Sequence, residues 1–108
     1  MSHQLSATEL ATRLKSAAPP RPLDVREPGE HQFAALPNSK LIPQRQLPER
    51  AGELAEWKDQ DVVVYCHHGI RSQHAIGYLE SEGYTTLLNL SGGIDAWSVD
   101  VDPQCPRY

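Results

Sequence analysis

The stretch Val62-Val63-Val64-Tyr65-Cys66-His67-His68-Gly69-Ile70-Arg71-Ser72 decides the fold. Its first half is short, β-branched and apolar on every side, as expected of a strand covered on both faces of a sheet. Its second half turns polar and carries a glycine. A helix is predicted to follow from about Ser72 to Glu82, with Ala75, Ile76 and Leu79 on its inner face and Gly83 at its C-terminal cap.

Working outward, short β-like runs alternate with helical stretches along the whole chain, which predicts an α/β fold with a mainly parallel sheet. Leu5 falls on a short first strand. Ser6 and Glu9 form a capping box for a helix whose apolar face is Ala7, Leu10, Ala11, Leu14 and Ala18, stopped by Pro19 and Pro20. Pro22 to Val25 reads as a second strand, and Glu27-Pro28-Gly29-Glu30 opens a helical turn reaching Phe33. Lys40 to Ile42 is a third strand. Pro48 suits the first turn of a helix that buries Leu47, Ala51, Leu54 and Trp57. Thr85 to Leu90 is the last strand, Gly92-Gly93 a tight turn, and Ile94 to Trp97 a short final helix. The 108 residues suit a single domain over 1–108, with its core at about 5–98 and an irregular, exposed tail over 99–108.

The chemistry concentrates at Cys66. It lies at the carboxyl end of a buried strand, where open α/β sheets bind ligands. The helix that follows presents free N–H groups and the positive end of its dipole. A loop curling around the sulfur would aim further amides inward as an anion nest, and Gly69 allows that bend. Such surroundings lower a cysteine pKa from about 8.5 to roughly 3.5–7.5. Arg71 adds a permanent cation with planar donors suited to an oxyanion such as thiosulfate. The bland reading of Cys66, a small buried apolar residue, accounts for its place but not for Gly69, Arg71 and the helix beside it.

Three segments together carry a family resemblance. Cys66 to Ser72 resembles the active-site loop of rhodanese-like domains. Leu23-Asp24-Val25-Arg26-Glu27 resembles their Asp-Val-Arg-Glu signature, and Leu90-Ser91-Gly92-Gly93-Ile94-Asp95-Ala96-Trp97 their Gly-Gly…Ala-Trp motif. The resemblance runs from about Ser6 to Trp97. It implies a five-stranded, mainly parallel sheet flanked by helices on both faces. It makes Cys66 the catalytic persulfide carrier, and His67, His68, Gly69, Ile70, Arg71 and Ser72 the substrate-binding residues, with loop amides as the cradle and Arg71 as a substrate-oriented cation. Asp24 and Arg26 are implied to brace the strand end. Two positions depart from the pattern. Ala34-Ala35-Leu36-Pro37-Asn38-Ser39 stands where Gly-His-Ile-Pro-Gly-Ala is common, so a histidine read as structural is missing, and Gln44 replaces a leucine after Ile42-Pro43. Four residues separate Cys66 from Arg71. Members that hydrolyse phosphoesters or reduce arsenate carry five, so phosphatase activity is not expected.

The implied activity is sulfur transfer from a small anionic donor such as thiosulfate to a thiol or cyanide acceptor. The alternative is a persulfide carrier or binding module that relays sulfur between protein partners with little small-molecule turnover. A third reading, a thiol–disulfide switch, needs Cys105 beside Cys66; an incidental tail cysteine is favoured. A metal site built from His67, His68 and His74 is disfavoured because adjacent loop histidines diverge and no fourth ligand has suitable spacing. No metal and no cofactor are expected. The net charge of −4, with no basic stripe, argues against nucleic acid and anionic membranes as partners. No apolar run approaches the roughly 20 residues of a spanning helix. The polar start Met1-Ser2-His3-Gln4 lacks a signal pattern, and two cysteines are too few for a disulfide framework, so a cytoplasmic setting is expected.

Overall fold

The computed structural model describes residues 3–108. The sequence start Met1-Ser2 lies outside them. Five strands, β1 (His3–Leu5), β2 (Arg21–Asp24), β3 (Lys40–Leu41), β4 (Val62–Tyr65) and β5 (Leu87–Leu90), form one sheet in the order β1-β5-β4-β2-β3. Every pairing among them is parallel. Five α-helices cover it: α1 (Ala7–Leu14), α2 (Pro28–Phe33), α3 (Leu47–Arg50), α4 (Ile70–Ser81) and α5 (Gly93–Asp100).

β4 is central, and its alternation splits the core into two layers. Val62 and Val64 face one layer with Leu47, Leu54, Ile76 and Leu79; Val63 and Tyr65 face the other with Leu10, Leu90, Ile94 and Trp97. This is why the strand reads as continuously apolar. Pro22 sits within β2 without loss, because pairing with β3 begins only at Leu23 opposite Lys40. The Ser6–Glu9 capping box forms in both directions, at 2.8 and 3.1 Å. Gly83 takes φ +95, and the amides of Gly83 and Tyr84 return to the carbonyls of Glu80 and Leu79, closing α4 in a Schellman turn.

Four expectations are corrected. α1 stops at Leu14, four residues short of Ala18, which is exposed. Ser16 takes the Arg13 carbonyl with both its amide and its hydroxyl, and Pro19 disfavours helical backbone at Ala18. The helix begun at Leu47 continues as a 3-10 helix over Ala51–Trp57, although Leu47 and Leu54 are buried as expected. α4 begins at Ile70, not Ser72, so Ile70 and Arg71 lie on its first turn. α5 runs on to Asp100, and the tail beyond it is tied down. Cys105 is buried in the layer with Trp97, and Arg107 bonds Asp95 at 2.9 and 3.3 Å. Where the expected histidine is missing, the Tyr65 hydroxyl takes the Leu36 amide at 3.1 Å and donates to Ser39 Oγ at 3.0 Å, holding that segment to β4.

Candidate active site

Cys66 directly follows β4, and its sulfur sits where a helix-capping oxygen would sit. The amides of Gly69 and Ser72 point to Sγ at 3.0 and 3.4 Å, and Ser72 Oγ lies 3.5 Å away. Gly69 is the N-cap residue of α4, with φ +103. Two of the four amides that a helix start leaves unpaired are thus spent on sulfur. Burial pushes the Cys66 thiol up, but the hydroxyl and amide of Ser72 and the amides of Gly69 and His68 outweigh it, and the net direction is down. The residue is only 1% exposed.

The loop is held from behind by α5. The amides of Ile94 and Asp95 donate to the carbonyls of Cys66 and His67 at 2.9 and 3.1 Å. Gly93 has φ +63, and a Cβ there would lie 2.3 Å from the His67 oxygen. The Gly92-Gly93 turn therefore brings the start of α5 against the loop more closely than any side chain permits. Asn89 on β5 adds a second brace: it accepts the Ser72 hydroxyl at 2.5 Å and donates to the Gly69 carbonyl at 3.3 Å and to Gln4 at 3.1 Å. At the end of β2, buried Arg26 binds Asp24 through two side-chain nitrogens and also the Ala34 carbonyl, contacts of the bracing kind that the family resemblance implied.

The expected binding residues divide. Gly69 and Ser72 contribute amides to the sulfur, and the His68 amide helps to hold its pKa down. Ile70 projects outward, 69% exposed, and makes no contact to the sulfur among the described residues. Arg71 is already engaged: it forms a two-pronged pair with Glu30 at 2.8 and 2.9 Å, with 38% of its side chain still exposed. The pair is tightened by the Tyr108 hydroxyl, 2.6 Å from Glu30. Arg71 and Tyr108 together pull the Glu30 carboxyl down to about 2 against the opposing effect of burial. The His67 ring is stacked between His68 and Tyr108, with centroids 3.9 Å apart on either side. Its Nε2 is buried without a hydrogen-bond partner. His67, His68 and Asp95 bring one potential ligand atom each within 4.8 Å, a group that does not include His74, and Arg107 already engages Asp95. Gln4, His68, Ile70, His74 and Asn89 border a cleft of about 330 Å³ beside the loop.

Sequence reasoning missed Glu30, Asn89 and Tyr108. Asn89 carried a signal, a polar residue on a buried strand that must find partners. Glu30 and Tyr108 carried none, because their roles depend on α2 and the tail meeting α4.

A rhodanese-like domain model matches residues 6–100. The chain belongs to the rhodanese-like family. Across 98 residues it is 37% identical to a sulfurtransferase of Allochromatium vinosum, covering 91% of this chain and 90% of that one. It is 31% identical to an adenylyltransferase and sulfurtransferase of Arabidopsis thaliana, covering 80% of this chain but 22% of that protein. Among solved structures, a rhodanese-like domain protein from Staphylococcus aureus superposes with a TM-score of 0.83 at 28% identity, covering 98% of each chain. The rhodanese-like fold, its family-level sulfurtransferase activity and its single-domain members agree with the resemblance read from the three motifs.

Proposed function

We propose that this chain is a sulfurtransferase that carries sulfur as a persulfide on Cys66. The observation that supports this most is the convergence of the Gly69 and Ser72 amides on Sγ, which favours a thiolate and would equally cradle the outer sulfur anion of a persulfide. In the first displacement the thiolate attacks the outer sulfur of a donor such as thiosulfate. A Cys66 S–S bond forms, the donor's S–S bond breaks, and sulfite leaves with the electron pair. In the second, a thiol or cyanide attacks the outer sulfur and the Cys66 thiolate leaves. No general base is required for an already ionised sulfur. A reducing, cytoplasmic setting would keep Cys66 available.

The alternative, a relay of sulfur between proteins, is favoured by two large apolar side chains that stand exposed, Phe33 at 55% and Ile70 at 69%. Ile70 opens the helix beside the sulfur, and Phe33 stacks edge-on against Tyr108 at the same end of the sheet. Several relatives also carry this domain within a longer chain named for two activities.

Mass spectrometry of the intact protein after thiosulfate treatment tests the chemistry. The expected result is a gain of one sulfur on Cys66 that cyanide removes. Cys66→Ser should abolish both the gain and the transfer; transfer at full rate in that variant would rule out Cys66 as the nucleophile. Fast steady-state thiosulfate:cyanide turnover would favour the enzyme. Slow turnover with ready loading from a protein persulfide would favour the relay.

A further inference from the structure

The Arg71 guanidinium, on the first turn of the helix that caps the reactive sulfur, is engaged by a carboxylate while its side chain stays 38% exposed. Arg71 is electrostatically coupled to Cys66, yet both of its terminal nitrogens are taken by Glu30. The other arginines at this end of the sheet are also paired. Arg26 is held by Asp24, Arg107 by Asp95, and Arg45 by Glu27. Burial and neighbouring His68 hold the His67 pKa below its ordinary value, which disfavours a positive charge there. The tail reinforces the balance: Tyr108 spans Glu30 and Arg26 with its hydroxyl, at 2.6 and 2.8 Å, and lies flat on His67.

From this we infer that Glu30, braced by Tyr108, is a specificity-determining residue that selects singly charged organic hydropersulfides over dianionic thiosulfate as sulfur donors. The inference rests on the proposed Cys66 persulfide chemistry. A doubly charged donor must either displace a two-pronged carboxylate from Arg71 or approach a mouth whose charges already cancel. A hydropersulfide brings at most one charge, and it resides on the sulfur that the loop amides are placed to receive. The step balances: Cys66 thiolate attacks the outer sulfur of RS–SH, the donor's S–S bond breaks, and RS⁻ leaves with the electron pair. The proton stays with the new persulfide or passes to solvent. Glu30 acts here through Arg71 and is a positioning residue.

The test compares Cys66 loading by thiosulfate and by 2-hydroxyethyl hydropersulfide, in single turnover, across donor concentration. The wild-type protein is expected to load faster from the hydropersulfide. Glu30→Gln keeps the backbone cap that Glu30 gives to Glu27 and removes the charge. It is expected to lower the half-saturating thiosulfate concentration about tenfold, the equivalent of one charge-assisted bond released to the donor. The hydropersulfide value should change much less, and Tyr108→Phe should shift the thiosulfate value in the same direction by a smaller factor. Equal gains for both donors in Glu30→Gln, or no gain for thiosulfate, would overturn the selectivity while leaving the persulfide chemistry standing. Failure of the wild-type protein to take sulfur from either donor would overturn both.

Discussion

The hydroxyl of Ser72 has one proton to give and two acceptors within reach. It lies 2.5 Å from Asn89 Oδ1 and 3.5 Å from Cys66 Sγ. While Cys66 is a thiol, the Asn89 contact is the better one; once the sulfur is ionised, the same proton can turn toward it. Ser72→Ala removes that option and should raise the Cys66 pKa, so less thiolate is present at neutral pH. The pH profile of Cys66 alkylation by iodoacetamide should shift to higher pH in the variant. An unchanged profile would mean that the backbone amides alone set the ionisation. Gly93 is governed by space and by backbone conformation together. Gly93→Ala would place a carbon 2.3 Å from the His67 oxygen in a backbone conformation that L residues resist. A loss of about 2–4 kcal/mol is expected, read as a fall in Tm of roughly 10 °C or more.

At the scale of elements, α2 and α4 are joined above the site by Glu30 and Arg71. The Glu30 pKa falls from 4.5 to about 2 on folding, so the folded state is favoured wherever the carboxylate is ionised in both states. That contribution is complete above 4.5 and is lost as the pH drops toward 2. Urea unfolding of Glu30→Gln and wild type should therefore differ at neutral pH and converge on acidification; a gap that stays constant with pH would show that ionisation of Glu30 is not its source. These elements also mark where the sequence could be read and where it could not. β4 is legible because three consecutive valines have few alternatives, and α1 because Ser6 and Glu9 mark its start. The capture of Arg71 by Glu30 is not legible, since the partners stand 41 positions apart and only the fold aligns them. The early start of α4 is hidden for a related reason. Gly69 can cap a helix as readily as extend a loop, and the choice depends on a sulfur three residues earlier accepting the amides.

For the whole molecule, the sheet is a partition between the two thiols. Cys66 packs in the layer with Val64, Ala75 and Ile76, and Cys105 in the layer with Leu5, Ile94 and Trp97. Mild oxidation should yield no Cys66–Cys105 disulfide in the folded protein, and non-reducing peptide mapping checks this. Formation of that bond would require the two layers to come apart. Cys105→Ala should cost about 1 kcal/mol through lost packing and leave sulfur loading on Cys66 unchanged. The clasp between the start of α5 and the Cys66–His67 carbonyls has a consequence in time as well as in space. During synthesis the thiol leaves the ribosome well before Gly93, Ile94 and Asp95, the residues that anchor its loop. A nascent polypeptide halted before those three residues would lack the contacts that hold the Cys66 and His67 carbonyls, and the loop would be fixed from behind only after Asp95 had been added.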